Sequence, residues 1–124
     1  MDVWPFKEGT PIYLQIIEEI KTRIVRGEYE AGSQVPPVRE LAIEAGVNPN
    51  TVQRAFAQLE SEGILKSDRT RGRFVTDEKS VLGELRKTMS SRFVTGMIKG
   101  MKELGMSDDE IIEAVSRQVK EESK

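Results

Sequence analysis

The sequence contains no cysteine and no histidine. The first absence excludes a disulfide framework and thiolate metal sites. The second removes the commonest general base and the commonest zinc ligand. No apolar run approaches the ~20 residues that a membrane helix needs. The opening "MDVWPFKEGT" lacks the basic start and apolar core of a signal peptide, so a cytoplasmic location is expected. Internal repeats and low-complexity segments are missing too. With neither His nor Cys, and no carboxylates clustered in an apolar stretch, the pattern is not that of an enzyme. No cofactor is implied. A metal site would have to be built from carboxylates, and the best candidates, Asp108 and Asp109, read better as first-turn acids complementing a helix dipole.

An excess of positive charge is also lacking. The 124 residues carry a formal net charge of −2. Residues 1–76 hold 10 Lys/Arg against 11 Asp/Glu, and residues 77–124 hold 9 against 10. A nucleic-acid partner would therefore require positive charge gathered on one surface, with the acids elsewhere.

What is present is a sequence of well-punctuated elements. Residues 11–26 place Tyr13, Ile16, Ile17, Ile20 and Ile24 at helical spacing, with Pro11 suited to a first turn and Gly27 to a stop. A loop follows, with room for a short extended piece near Gln34–Val35. Residues 37–45 form a short helix with Val38, Leu41, Ala42 and Ala45 inward, ended by Gly46. After a turn of about three residues, Asn48 caps a further helix and Pro49 opens it. A short helix, a Gly-containing turn and a second helix make a helix-turn-helix.

In that second helix Val52, Ala55, Phe56 and Leu59 point one way. At roughly 100° per residue, Asn50, Arg54 and Ala57 point nearly opposite, with Thr51 and Gln53 on the flanks. Residues 64–76 then read as a hairpin. Ile64 and Leu65 open its first strand, Phe74 and Val75 close the second, and "DRTRG" makes the turn. Lys66, Arg69, Arg71 and Arg73 against Asp68 supply the local positive charge that a nucleic-acid partner demands.

Taken singly, each signal has an ordinary explanation. Asn48–Pro49 is a common helix start, Arg54 a solvated charge, Arg39 a surface ion-pair partner, and an Arg-rich turn a solvated turn. Their order and spacing point further. Three helices followed by a basic hairpin is the winged helix-turn-helix plan. The major groove admits one helix, whose N-terminal residues meet base edges, and Asn and Arg suit adenine and guanine. The turn around Arg71, Gly72 and Arg73 can follow the backbone or enter the minor groove.

The stretch from "PIYLQIIEEIKTRIVRGEYEAGSQVPPVRELAIEAGVNPNTVQRAFAQLESEGIL" to "RGRFV" resembles the DNA-binding domain of the GntR family of bacterial transcription regulators, across residues 10–76. The resemblance implies a winged-helix fold and operator binding as a dimer. Arg39, Asn48, Asn50, Thr51 and Gly72 match family DNA contacts, and Gln53 and Arg54 lie where further contacts fit. The chain departs from the family at Pro37, where Ser or Thr is frequent, and in the wing, where Thr70–Arg71–Gly72–Arg73 replaces "GxGT".

A boundary is expected near residues 76–80, dividing a winged helix-turn-helix domain at 1–76 from a two-helix region at 77–124. In the latter, Leu82, Leu85, Met89, Phe93, Met97, Met101 and Leu104 recur every three or four residues, predicting a helix of more than twenty residues with room for a bend at Gly96 or Gly100. "SDDE" at 107–110 is a capping box for a last helix striped by Ile111, Ile112, Val115 and Val119. The fold class expected is mostly α with a small β-hairpin wing, plus two C-terminal helices. Two helices cannot enclose a typical ligand pocket of ~300 Å³ or more. They can pair with a second copy through Leu82, Leu85, Met89, Phe93, Met97, Met101, Ile111, Ile112 and Val115. The short tail is similar to that of the YtrA subfamily, which implies dimerisation and repression, often of ABC-transporter operons. The competing expectation is a winged helix that docks proteins, which the bulk acidity favours and the basic wing disfavours.

Overall fold

The computed structural model describes residues 3–124, so the first two residues of the opening "MDVWPFKEGT" lie outside the described ones. The elements run α1 (Ile12–Val25), α2 (Val38–Ala45), α3 (Pro49–Ser61), β1 (Leu65–Asp68), β2 (Gly72–Val75), α4 (Lys79–Glu103) and α5 (Asp108–Glu122). The fold is mostly helical, with a two-stranded antiparallel hairpin as its wing. The chain divides into two compact units, Met1–Arg86 and Lys87–Lys124. That division lies inside α4, beyond the change in sequence pattern at residue 76. The first turns of α4 explain it: Leu85 is buried, and Leu82, Gly83 and Arg86 line one cleft with Ile24 and Val25 of α1.

In the first unit the core is built from one stripe per helix. Ile16, Ile17, Ile20 and Ile24 of α1 face Val52, Ala55, Phe56 and Leu59 of α3, with Leu41, Ala42 and Ala45 of α2 alongside. Each of the larger side chains contributes about 1.5–3 kcal/mol by leaving water. Tyr13 and Val38, at the first turns of their helices, are only half-buried. Gly46 ends α2 at φ 74°, a left-handed conformation that L-residues avoid, and its N–H reaches back to Ala42.

The wing pairs Leu65 with Val75 and Asp68 with Gly72. Ile64, Leu65 and Val75 are buried against the helices. The extended piece expected near Gln34–Val35 is present as a bridge to Phe74, and the Val35 N–H donates to the Arg73 carbonyl at 3.0 Å. The wing thus has a third, short edge segment that fixes its base.

In the second unit α4 continues unbroken through Gly96 and Gly100. Among the described residues no heavy atom beyond the neighbouring helix backbone comes within 4 Å of a Cβ placed at either glycine, so neither marks a close approach there. Gly105, at φ 82°, follows the end of α4. Ser107 and Glu110 then form the reciprocal capping box, in which the Ser107 N–H donates to Glu110 at 2.9 Å and the Glu110 N–H to Ser107 Oγ at 3.2 Å. Ile111 is buried, Met89, Met101 and Val115 are half-buried, and Phe93, Met97, Ile112 and Val119 are exposed.

Candidate nucleic-acid interface

The N-terminal end of α3 is the centre of the site. Asn48 is its N-cap: Oδ1 accepts the Asn50 N–H at 2.8 Å. The cap occupies the oxygen and leaves the Nδ2 hydrogens to donate outward. Asn50, Gln53 and Arg54 are exposed, and Thr51 is half-buried. Because Val52, Ala55 and Phe56 take the core face, Asn50 and Arg54 stand opposite it, with Thr51 and Gln53 on the flanks. Arg39, in the first turn of α2, is exposed and has no ion-pair partner among the described residues. Pro37 precedes α2 with no side-chain cap, as its lack of a hydroxyl requires.

The wing's arginines differ sharply from one another. Arg69, at the tip, is exposed and without an ion-pair partner among the described residues. Arg71 lies 3.4 Å from Asp68 and its guanidinium sits 4.3 Å from the Phe74 ring. Arg73 turns inward, ion-paired to Glu60 of α3 and 5.1 Å from the Phe56 ring. Lys66 is 3.7 Å from Glu78. Asp68 shapes the turn by accepting from both the N–H and the hydroxyl of Thr70, each at 2.8 Å, and those bonds hold its carboxyl below the usual range. Gly72 has φ 78°, and a Cβ there would come within 3.3 Å of Gln34 Nε2. The positive φ is what favours a glycine at that position.

These pairings resolve the problem posed by the charge. The acids at the C-terminal end of α3, Glu60 in its last turn and Glu62 at its C-cap, are each matched: Glu60 with Arg73, and Glu62 with the buried Lys21 at 3.0 Å. The carboxylates at the C-terminal end of α3 are therefore neutralised within the unit. Arg39, Arg54 and Arg69 keep theirs free of carboxylates. Three cations unpaired among the described residues, on α2, α3 and the wing, are therefore available although the total charge is negative.

Other contacts hold the helix-turn-helix against α1. Arg23 of α1 reaches Glu44 of α2 at 2.9 Å, Glu19 at 2.9 Å and the Tyr29 hydroxyl at 3.1 Å. Burial opposes its charge, but these bonds outweigh it and keep it protonated, while burial pushes the Tyr29 phenol up. Trp4 Nε1–H donates to the same Glu44 at 3.0 Å. Two partners that the sequence did not reveal are Glu60 and Tyr13, the latter 3.7 Å from the Arg54 guanidinium. No periodic signal links residues on different elements, so no sequence pattern would have found them.

The comparisons with known proteins agree with this geometry. The model of the bacterial regulatory proteins of the gntR family matches residues 12–75. The Bacillus subtilis HTH-type transcriptional regulator YhcF is 39% identical over 110 residues, 89% of this chain and 91% of YhcF. The HTH-type transcriptional repressor YtrA of the same organism is 42% identical over 84 residues, 67% of this chain and 65% of YtrA. A GntR family transcriptional regulator from Listeria monocytogenes superposes with a TM-score of 0.82 at 38% identity, over 90% of this chain and 98% of that one. The AraR DNA-binding domain, solved in complex with operator ORX1, superposes with a TM-score of 0.53 at 32% identity, over 61% of this chain and 93% of that one. This chain belongs to the gntR family of bacterial regulatory proteins, as a winged helix-turn-helix transcription regulator.

Proposed function

We propose that this regulator works as a homodimer that reads an inverted-repeat operator and represses the genes behind it. The observation that carries the reading is the free N-terminal end of α3. Asn50, Gln53 and Arg54 are exposed there, opposite a fully packed core face. Arg54 is suited to guanine O6 and N7, and Asn50 to adenine N6 and N7. Thr51, Arg39 and the Asn48 amide are suited to phosphates or base edges beside them, and Arg69 and Arg71 at the wing to the adjoining backbone. Arg73 serves from behind by tying the wing to α3. Gly72 lets the wing turn form. The complex of the AraR DNA-binding domain with an operator supports the choice of double-stranded DNA as partner.

The second unit supports the dimer. Phe93 is 80% exposed and Ile112 63%, large apolar surfaces that water disfavours and a second copy could cover. Leu85 is differently placed, being buried within the first unit. Two α3 helices of a dimer would meet half-sites about one helical turn, ~34 Å, apart. Repression is supported by the repressor YtrA, and with the subfamily resemblance comes an operon of transporter genes as target. The task belongs in the cytoplasm; among the described residues no helix is long and apolar enough to cross a membrane.

The test is a gel shift and footprint on the protein's own promoter region at physiological salt, beside a random duplex of equal length. A two-fold symmetric footprint that Arg54→Ala weakens by about 1–3 kcal/mol supports the reading. Equal affinity for promoter and random duplex would defeat it.

A further inference from the structure

The Arg54 guanidinium lies over the ring of Tyr13, with Cζ 3.7 Å from the ring centroid. Tyr13 belongs to the first turn of α1, outside the helix-turn-helix, and Arg54 to the exposed face of α3. The Tyr13 ring is half-buried, and its hydroxyl has no hydrogen-bond partner among the described residues. No carboxylate pairs with Arg54 among those residues. We propose that Tyr13 is a positioning residue for base reading, its ring holding the Arg54 guanidinium in a set plane before DNA arrives. The proposal rests on the DNA-reading role assigned to α3 above.

The chemistry of the guanidinium makes the arrangement productive. Its five N–H donors all lie in the plane of the group, at its edge, and none projects from its faces. A stack on an aromatic ring occupies a face and leaves the edge open. An ion pair does the reverse. Arg73 shows the contrast, since its Nε–H is directed at Glu60. Arg54 is thus restrained and still able to form the two parallel bonds that guanine O6 and N7 accept. A flexible arginine must be ordered at the moment of binding, and one already restrained avoids part of that loss. The ring attracts the cation through its quadrupole, which biases the rotamer without a competing charge. Asn50 stands four residues before Arg54, on the same side of the helix, so the restrained donor lies next to a second base-reading side chain.

The experiment uses the full chain. Duplexes selected from a random pool by the wild-type protein supply the specific probe, and a random-sequence duplex of equal length the non-specific one. Affinities are measured for wild type, Tyr13→Phe, Tyr13→Leu, Arg54→Ala and the Tyr13→Leu/Arg54→Ala double variant, at a temperature where all are folded by circular dichroism. Tyr13→Leu is expected to lower the selected-to-random ratio about two- to fivefold, as loss of an exposed cation–π contact implies. The random-duplex affinity and salt slope stay unchanged. Tyr13→Phe keeps the ratio, because the ring remains. In the Arg54→Ala background Tyr13→Leu changes nothing more, and a merely structural role for Tyr13 would not give that result.

The proposal is overturned if Tyr13→Leu leaves the ratio intact while Arg54→Ala lowers it. It is overturned equally if Tyr13→Leu costs as much without Arg54 as with it. A Tyr13→Phe variant as impaired as Tyr13→Leu would also overturn it, moving the role from the ring to the hydroxyl. A wild-type protein that prefers no duplex at all sinks the DNA-reading proposal itself, and this one with it; the other outcomes leave the DNA-reading proposal standing.

Discussion

Glu60 of α3 holds the guanidinium of Arg73 from β2, joining that helix to the wing through a half-buried ion pair. The same arginine lies near the Phe56 ring, whose side chain is in the core. This ion pair adds to the packing of Ile64, Leu65 and Val75 in holding the wing against α3. Its charge is balanced internally and adds little to the outward field.

Glu60→Gln should separate those two consequences. Stability is expected to fall by about 1 kcal/mol in urea unfolding, as for a partly exposed charged pair. Binding to random duplex should gain salt dependence, its log–log slope steepening by up to about 0.9 as Arg73 is released toward phosphate. An unchanged slope would mean that Arg73 cannot reach the backbone even when free.

The tip arginines are expected to be unequal. Arg69→Ala should weaken selected and random duplexes alike and flatten the salt slope by about 0.9, the value for one phosphate contact. Arg71→Ala should flatten it less, because Asp68 at 3.4 Å already offsets that charge. A larger effect at Arg71 would show that the wing meets DNA on another side.

Asn48 combines a cap with an outward amide. Asn48→Ala should cost about 1 kcal/mol of stability through the lost cap. Asn48→Ser retains an acceptor for the Asn50 N–H and should restore most of that stability, while the affinity for selected duplex stays reduced. If Ser restores affinity as well, the residue acts through the cap alone.

Phe93→Glu tests the proposed dimer. Placing a carboxylate on this exposed apolar position is expected to give a monomer by light scattering at micromolar concentration. The melting of the winged-helix unit should be unaffected, since Phe93 lies in the other unit. A persistent dimer would put the interface elsewhere.

The capping box of α5 predicts a pH response. The Ser107 N–H and hydroxyl hold the Glu110 carboxyl below its ordinary value. A depressed folded-state pKa contributes stability that is complete above the unfolded value and lost as pH falls through the folded one. The start of α5 should therefore fray on acidification, seen in the amide shifts of Ser107 and Glu110. Glu110→Gln keeps an acceptor and removes the titration, so its shifts should stay flat across that range.

Much of this architecture was legible beforehand because it rests on local rules. Pro49, Asn48 and Gly46 mark their positions by backbone preference, and the stripes of α1 and α3 follow from helical period alone. The wing followed from two apolar runs around a polar turn, and the extended piece near Gln34–Val35 from the loop after α1, although nothing in the sequence showed that it would pair with Phe74. The charges behaved differently. Lys66, Arg69, Arg71 and Arg73 look equivalent in a sequence, yet three of them have carboxylate partners and Arg69 has none among the described residues. Leu85 and Phe93 belong to one apolar repeat, yet the first is buried and the second is 80% exposed.

By itself, then, the chain's order of residues determined the succession of helices and strands and the apolar faces of α1, α2 and α3, because those depend on neighbours a few positions away; the wing turn is tighter than the sequence suggested, since Asp68 and Gly72 pair as strand residues. Only the tertiary structure decided which arginines remain available, how Tyr13 restrains Arg54, and where α4 leaves the core of the first unit. Those outcomes depend on residues far apart in the chain meeting within a few ångströms, and ion pairing and stacking are set by that distance rather than by residue type.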